Sequence, residues 1–212
     1  MKIRDKLIIG IGYRIGAGKD TMASYLCNHA GYKVMRFADA LKEAACTIFG
    51  WERSDLEDMS FKMTVDEFWG ETPRVLLQRM GTEAMRENIR KDIWVKALER
   101  RIRSSSNTRI VIPDVRFTNE AEAVKAWGGY VVKVTRNSYM PPNATTQQLK
   151  HKSETEMDDY DGWFYAVEND GDIEKLNSNT AMLSRILENE YVDRRPDSAG
   201  RTAHSVDHTP GC

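Results

Sequence analysis

The chain is short of several things, and each shortage excludes something. Its three cysteines, Cys27, Cys46 and Cys212, lie far apart and without CxxC spacing, so neither a disulfide framework nor a zinc site is expected. Its four histidines, two of them close to the C-terminus, are too few and too scattered for a metal cluster. No apolar run approaches the roughly 18–20 residues of a membrane span. Met1-Lys-Ile-Arg-Asp-Lys6 leads into a short strand-like stretch and not into the apolar core of a signal peptide. Charge of one sign is not in excess either. Against 31 Lys plus Arg stand 32 Asp plus Glu, a formal charge of -1, so no broad basic field offers itself to nucleic acid or to an anionic membrane. There is no internal repeat and no GxSxG hydrolase elbow. A cytoplasmic location is the expectation.

What is present fits one soluble domain. With 212 residues, 41% of them hydrophobic, the chain is long enough to bury a core without staples. Leu7-Ile-Ile-Gly-Ile11, Lys33–Phe37, Arg109–Asp114, Tyr130–Thr135 and Phe164–Val167 read as short buried strands, the third terminated by Pro113. Helices are expected between them. One runs over 19–30 with Gly31 at its C′ position, and one over 38–49 ending at Gly50. A third opens at Thr72-Pro73 and ends at Gly81, a fourth is capped by Asp92, and two more cover 119–127 and the stretch from Asp172 to Leu187. Strands alternating with helices argue an α/β fold with a mostly parallel five-stranded sheet, whose ligands sit at the carboxyl ends of the strands. Residues 51–71 are dense in charge and aromatics with weak periodicity, and are expected to be a mobile or substrate-facing insertion. From about 192 onward prolines, glycines and small polar residues predict a disordered tail.

The chemistry gathers first at Gly12-Tyr-Arg-Ile-Gly-Ala-Gly-Lys-Asp-Thr21, between a buried strand and a helix. Glycines let backbone N–H groups converge on one phosphate, the helix start adds positive partial charge, and Lys19 adds a full one. The match to GxxxxGK[ST] departs twice. The first glycine would fall at Tyr13 but stands at Gly12, and Asp20 follows the lysine, so the hydroxyl for magnesium comes from Thr21, from water or from nowhere. A tight strand-to-helix turn without a ligand is the plain alternative.

Asp114 and Arg116 stand at the end of the third strand, where a carboxylate could reach Mg²⁺ through water and an arginine could clamp a phosphate. An ion pair that only fixes the loop is the alternative there. Arg74 and Gln78, four apart, share a helix face. Arg136 precedes a polar stretch, about 136–160, with the length and composition of a closing lid.

In order along the chain, GAGKDT, Phe37-Ala-Asp-Ala-Leu-Lys42, Leu77-Gln-x-Met-Gly-Thr82, Trp94-Val-Lys96, Ile112-Pro-Asp-Val-Arg116, Asn119-Glu120, Arg136, His151-x-Ser-Glu154 and Asn169-Asp-Gly171 resemble the deoxynucleoside monophosphate kinases of tailed bacteriophages. The resemblance spans roughly Leu7 to Leu187. It implies a three-layer P-loop kinase fold over 1–191, with a helical monophosphate-binding region at about 51–91 and a lid. It implies ATP and Mg²⁺, and transfer of the γ-phosphate to a deoxynucleoside 5′-monophosphate for DNA precursor synthesis. Carried over residue by residue, Gly12, Arg14, Gly16, Gly18, Lys19, Asp20, Thr21 and Asn169 would hold ATP. Ala38, Leu41, Arg74, Gln78, Gly81, Thr82, Trp94 and Glu120 would shape the acceptor pocket. Lys19, Asp114, Arg116 and Arg136 would act at the reaction centre, and Asp20, Thr21 and Asp114 would serve the metal, partly through water. If the chain is viral, its compartment is the host cytoplasm. A homodimer is left open, and nucleic acid and membrane are not expected partners. A kinase of another small acceptor such as dephospho-coenzyme A, or a non-catalytic nucleotide-binding partner protein, stand as alternatives.

Overall fold

The computed structural model describes residues 2–136 and 150–194; most of the lid expected over 136–160 and of the tail expected over 192–212 lies outside them. Five parallel strands, β1 (Leu7–Gly12), β2 (Lys33–Val34), β3 (Arg109–Val115), β4 (Tyr130–Thr135) and β5 (Tyr165–Glu168), form a sheet in the order β2-β3-β1-β4-β5. β1 is central, and chain crossings leave it in both directions. The loop after β1 therefore sits at the switch point where an α/β sheet opens a crevice.

Alternation along the strands divides the core into two faces. Leu7, Ile9, Ile11, Val111, Val132 and Val134 pack under α1 (Lys19–Ala30) and the last helix, Ile173–Asp193. Ile8, Ile110, Ile112 and Val131 face the other way, under Ile93–Ser104 and Thr118–Ala126. The fold is thus three-layered, as expected. Each fully buried Leu or Ile contributes about 1.5–3 kcal/mol relative to exposure, so both layers of helices are held by the sheet and not by their own propensity. The helix starts follow the capping chemistry read from the sequence at two places. Thr72 accepts a bond from the Val75 N–H at 3.3 Å with Pro73 in the first turn, and Asp172 accepts from Lys175 N–H at 2.8 Å.

Several boundaries differ from expectation, each for a local reason. β2 is two residues long, because after Met35 donates to the Val111 carbonyl the chain turns away to start α2 (Asp39–Phe49). β3 does not stop at Pro113. The ladder to β1 slips between the pairs Gly10–Ile112 and Gly12–Val115, so the proline, which has no N–H, falls in a bulge and pairing resumes beyond it. Gly81 does not end a helix. α4 (Pro73–Gln78) continues as a π-helical stretch, Arg79–Glu87, with Gly81 inside it. Asp92 stands at the head of α5 (Ile93–Ser104) but caps nothing, since its carboxylate is engaged by Arg90. The final helix reaches Asp193, into the span assigned to the tail.

The insertion after α2 carries a small core of its own. Trp51 and Leu56 are buried with Ala45, and Phe49, Phe61, Leu76 and Met80 pack around them. The Trp51 indole donates to Asp66 at 2.8 Å, and the ring stacks on Phe49. A short helix, α3 (Met59–Met63), crosses this segment.

At the end of β1 there is no room for a side chain. A Cβ on Gly12 would lie 2.8 Å from the Val115 carbonyl oxygen and 3.0 Å from the Trp163 ring. Gly12→Ala is therefore expected to lower unfolding stability by about 1–3 kcal/mol, the usual cost of overpacking, in a denaturant titration. An unchanged midpoint would show that β1 and β3 separate freely at this end.

Candidate active site

The turn after β1 begins with an unusual backbone. Tyr13 has φ 98°, the left-handed region that favours glycine, followed by Gly16 at 75° and Gly18 at 104°. Position 13 is where the usual phosphate-loop spacing calls for glycine, so the backbone keeps that frame with a tyrosine in it, at a cost of about 1–2 kcal/mol. Its ring is held edge-on to Trp163, with the Lys133 ammonium 4.3 Å from its centroid. The Tyr13 and Arg14 carbonyls both accept from the Lys19 ammonium, the first at 3.1 Å.

Lys19 is therefore tucked under the loop and not solvated. It is 6% exposed, and burial, reinforced by the nearby Arg116 charge, lowers its pKa to about 7. Asp20 points outward and pairs with Arg36 at 2.9 Å.

Two cavities open beside this loop and, among the described residues, share only Gly16, Lys19 and Asp20. The inner one, about 330 Å³, lies between the loop, the ends of β2 and β3, α2, α3 and the α4–π helix. It brings together Ala38, Leu41, Arg74, Gln78, Gly81, Thr82, Asp114, Arg116 and Glu120, each named from the sequence. The outer one, about 390 Å³, is walled by Gly18, Thr21, Arg136 and Asn169 with Asp172, Ile173 and Leu176. Asn169 is buried and ties this wall to the loop by donating to the Ala17 carbonyl at 3.0 Å.

Three expected site residues lie elsewhere. Gly12 is behind the loop and lines neither cavity, and Arg14 turns outward to Asp158 at 2.7 Å. Trp94 is in the core, 4% exposed, acting through its indole N–H, which donates to the Gly81 carbonyl at 2.9 Å. The missing side chain of Gly81 admits Leu41, whose Cδ2 would lie 2.8 Å from a Cβ.

The carboxylates have set duties. Asp114 accepts from the Phe37 and Ala38 N–H groups at 3.1 and 2.9 Å, fixing the start of α2, and burial raises its pKa. Glu120 caps its own helix, α6 (Thr118–Ala126), by accepting from Arg116 and Phe117 N–H at 2.8 and 3.2 Å, and it pairs with Arg86. Burial pushes Glu120 up to about 7 against the pull of Arg86.

Sequence reasoning missed four residues of this cleft. Arg36, Lys62 and Arg86 carry no motif at all, though all three line the inner cavity. Glu154, on α7 (Lys152–Thr155), stands in the run His151-x-Ser-Glu154, which was legible as a pattern but not as a role. Its buried carboxylate accepts from the Ile15 N–H at 3.1 Å and meets Arg116, with Arg74 at 3.7 Å. The arginine Nε of Arg74 is buried and makes no hydrogen bond among the described residues.

Comparison with known proteins gives a family for the chain. The family model described as deoxynucleotide monophosphate kinase matches residues 67–180. A curated protein of Acanthamoeba polyphaga mimivirus, titled "Putative deoxynucleotide monophosphate kinase", is 31% identical over 188 residues, covering 81% of this chain and 93% of that protein. Among solved structures, TT1252 from Thermus thermophilus aligns with a TM-score of 0.49 at 19% identity, over 85% of this chain and 97% of its own. A dephospho-CoA kinase from Campylobacter jejuni aligns at 0.48 and 10% identity, over 86% and 98%.

The Arg86–Glu120 pair sets a pH-dependent stability. With Glu120 raised from 4.5 to about 7, the folded state binds more protons in that window than the unfolded chain. This group's stabilising contribution is complete below about pH 4.5 and is lost as pH rises through 7. Arg86→Met leaves the buried carboxylate unpaired, and is expected to cost about 3 kcal/mol at pH 8 and less near pH 5.5. Denaturation midpoints at the two pH values measure it; an equal loss at both would mean that Glu120 does not titrate there.

Proposed function

The chain belongs to the deoxynucleotide monophosphate kinase family, and from that premise we propose that it transfers the γ-phosphate of ATP to a deoxynucleoside 5′-monophosphate. The products are ADP and the deoxynucleoside diphosphate, a DNA precursor. One observation carries the reading: two cavities that, among the described residues, meet only at Gly16, Lys19 and Asp20, as two substrates exchanging a phosphoryl group across one loop would require.

ATP takes the outer cavity in this reading, its phosphates against the loop and Lys19, its nucleoside toward Asn169, Ile173 and Leu176. The acceptor takes the inner cavity, its phosphate facing Arg74 and Arg116 and its nucleoside toward Leu41, Gln78 and Thr82. An acceptor phosphate oxygen forms the new bond to the γ-phosphorus while the bond to the β–γ bridging oxygen breaks, and ADP leaves with that electron pair. The attacking oxygen is already anionic at neutral pH, so no strong base is needed. Catalysis is positioning and charge neutralisation. In this reading Arg116, which lines the inner cavity, and Arg136, which lines the outer one, share the charge of the transferring group.

The residues present also suit Mg²⁺. Asp20 offers an outward carboxylate bordering both cavities, and Thr21 lines the outer one. Asp114, with both oxygens on backbone N–H groups, is left with contact through water. One or two protein oxygens completed by water and substrate phosphate is the donor set Mg²⁺ prefers. When bound, the ion would neutralise phosphate charge. Among the described residues no cluster of three or more His, Cys, Asp or Glu could hold a metal, in keeping with an ion carried mainly by the nucleotide.

ADP release measured in parallel with the four natural deoxynucleoside monophosphates, and with dephospho-coenzyme A as a further acceptor, tests the reading. Turnover should rise well above the ATP-only rate with at least one deoxynucleotide; no rise with any of them would overturn it. Lys19→Met is expected to cut transfer on the order of 10²–10³-fold while the melting temperature holds or rises below pH 7, because burial of this ammonium is unfavourable in the empty loop. A variant that melts early would assign Lys19 to the fold instead.

A further inference from the structure

Glu154 stands where an anionic ligand would be expected. Its side chain is 4% exposed, and donors from three separate elements converge on it. The Ile15 N–H of the phosphate loop donates to Oε2 at 3.1 Å, the Arg116 guanidinium from the end of β3 contacts Oε1, and the Arg74 guanidinium from α4 lies 3.7 Å from the same oxygen. The Ser153 carbonyl also accepts from Arg116, at 3.3 Å. The set is incompletely used, since Arg74 keeps a buried Nε with no partner among the described residues. A carboxylate has two oxygens and one charge. A terminal phosphate has three oxygens and up to two charges, and would match these donors more fully.

We propose that Glu154 is a resident anion in the acceptor's phosphate seat, displaced by the acceptor phosphate and thereby setting its affinity. The inference rests on the kinase reading for the identity of the acceptor. In the empty protein, two guanidinium groups facing each other in a partly buried cleft would repel, and a carboxylate between them removes that cost. In the loaded protein the carboxylate and the phosphate cannot both hold the same donors, so Glu154 cedes Ile15, Arg74 and Arg116. Its negative charge then stays nearby, weakens acceptor binding and favours departure of the diphosphate product. Glu154 is on this account a positioning residue, acting through the two arginines and the loop amide.

Glu154→Gln separates this from a purely structural role. The amide keeps an oxygen for the Ile15 N–H and removes the charge. The variant is expected to bind inorganic phosphate, titrated calorimetrically with ADP present to fill the loop, about tenfold more tightly than the parent. The KM for deoxynucleoside monophosphate should fall with it, kcat should fall as product release slows, and the KM for ATP should hold. A folded variant that binds phosphate equally or more weakly overturns the proposal. If the variant does not fold, the parent decides: in the same phosphate titration followed by NMR the Ile15 backbone amide resonance must shift as its acceptor changes from carboxylate to phosphate, and an Ile15 signal that stays put while phosphate binds refutes displacement. A parent that phosphorylates no deoxynucleotide would sink the kinase reading alone, since the phosphate titration still decides whether Glu154 is displaced.

Discussion

The site depends on the pairing of β1 with β3 and on the bulge that interrupts it. Gly12 pairs with Val115 only because two residues of β3, Pro113 and Asp114, are set against one of β1. That slip turns the Asp114 carboxylate to the start of α2 and brings Arg116 level with the phosphate loop. A regular ladder would shift the face presented by every residue beyond the slip. The close approach has a second condition: position 12 must lack a Cβ, because the Val115 carbonyl already fills that space.

Around this junction the chain collects cations in one cleft and sets anions against them. Asp20 faces Arg36, Glu120 faces Arg86, Glu154 faces Arg116, and Glu57 faces Lys42, each anion coming from a different element than its partner. A formal charge of -1 over the whole chain is therefore no guide to the local field. It argues against long polyanions, which need an extended basic surface, and is silent on a nucleotide, which needs a few cations in one crevice. Such pairs add little net stability over apolar packing, but breaking the one at Glu120 or at Glu154 leaves a buried charge. Their worth lies in holding guanidinium groups in fixed directions in the absence of ligand.

Much of this was legible because the responsible signals are local. β-branched runs, Gly31 after α1, Thr72-Pro73 and Asp172 each act within a few residues of themselves, and the glycine-rich loop announces its chemistry by composition. What was not legible depends on partners distant in the chain. Gly81 looks like a helix terminus until Leu41, forty residues earlier, is seen to need its space. Trp94 looks like a pocket wall until its buried indole is found bonded to the Gly81 carbonyl, thirteen residues earlier. Residues 51–71 show no period because their apolar groups pack aromatic to aromatic around Trp51 and do not form a stripe. Glu120 lines the inner cavity, and what its sequence position does not show is that its oxygens serve its own helix and Arg86, thirty-four residues earlier in the chain.

The loop itself shows how a sequence departure can leave the geometry intact. With glycine at 12 in place of 13, the spacing appears one residue too long, and Tyr13 appears to be an insertion. The backbone instead adopts at Tyr13 the left-handed angle that glycine would supply, and the strain is offset by contacts only an aromatic residue could make, with Trp163 on one side and the Lys133 ammonium on the other. Those partners belong to β4 and to the segment entering β5, so the first turn of the loop is braced from the neighbouring strand β4 and from the approach to β5. Glycine at this position would relieve the angle but would leave the Tyr13 carbonyl, one of two acceptors for Lys19, on a freer backbone. The tyrosine thus exchanges an intrinsic cost for a fixed carbonyl. This holds Lys19 between the two cavities before any phosphate is there to attract it.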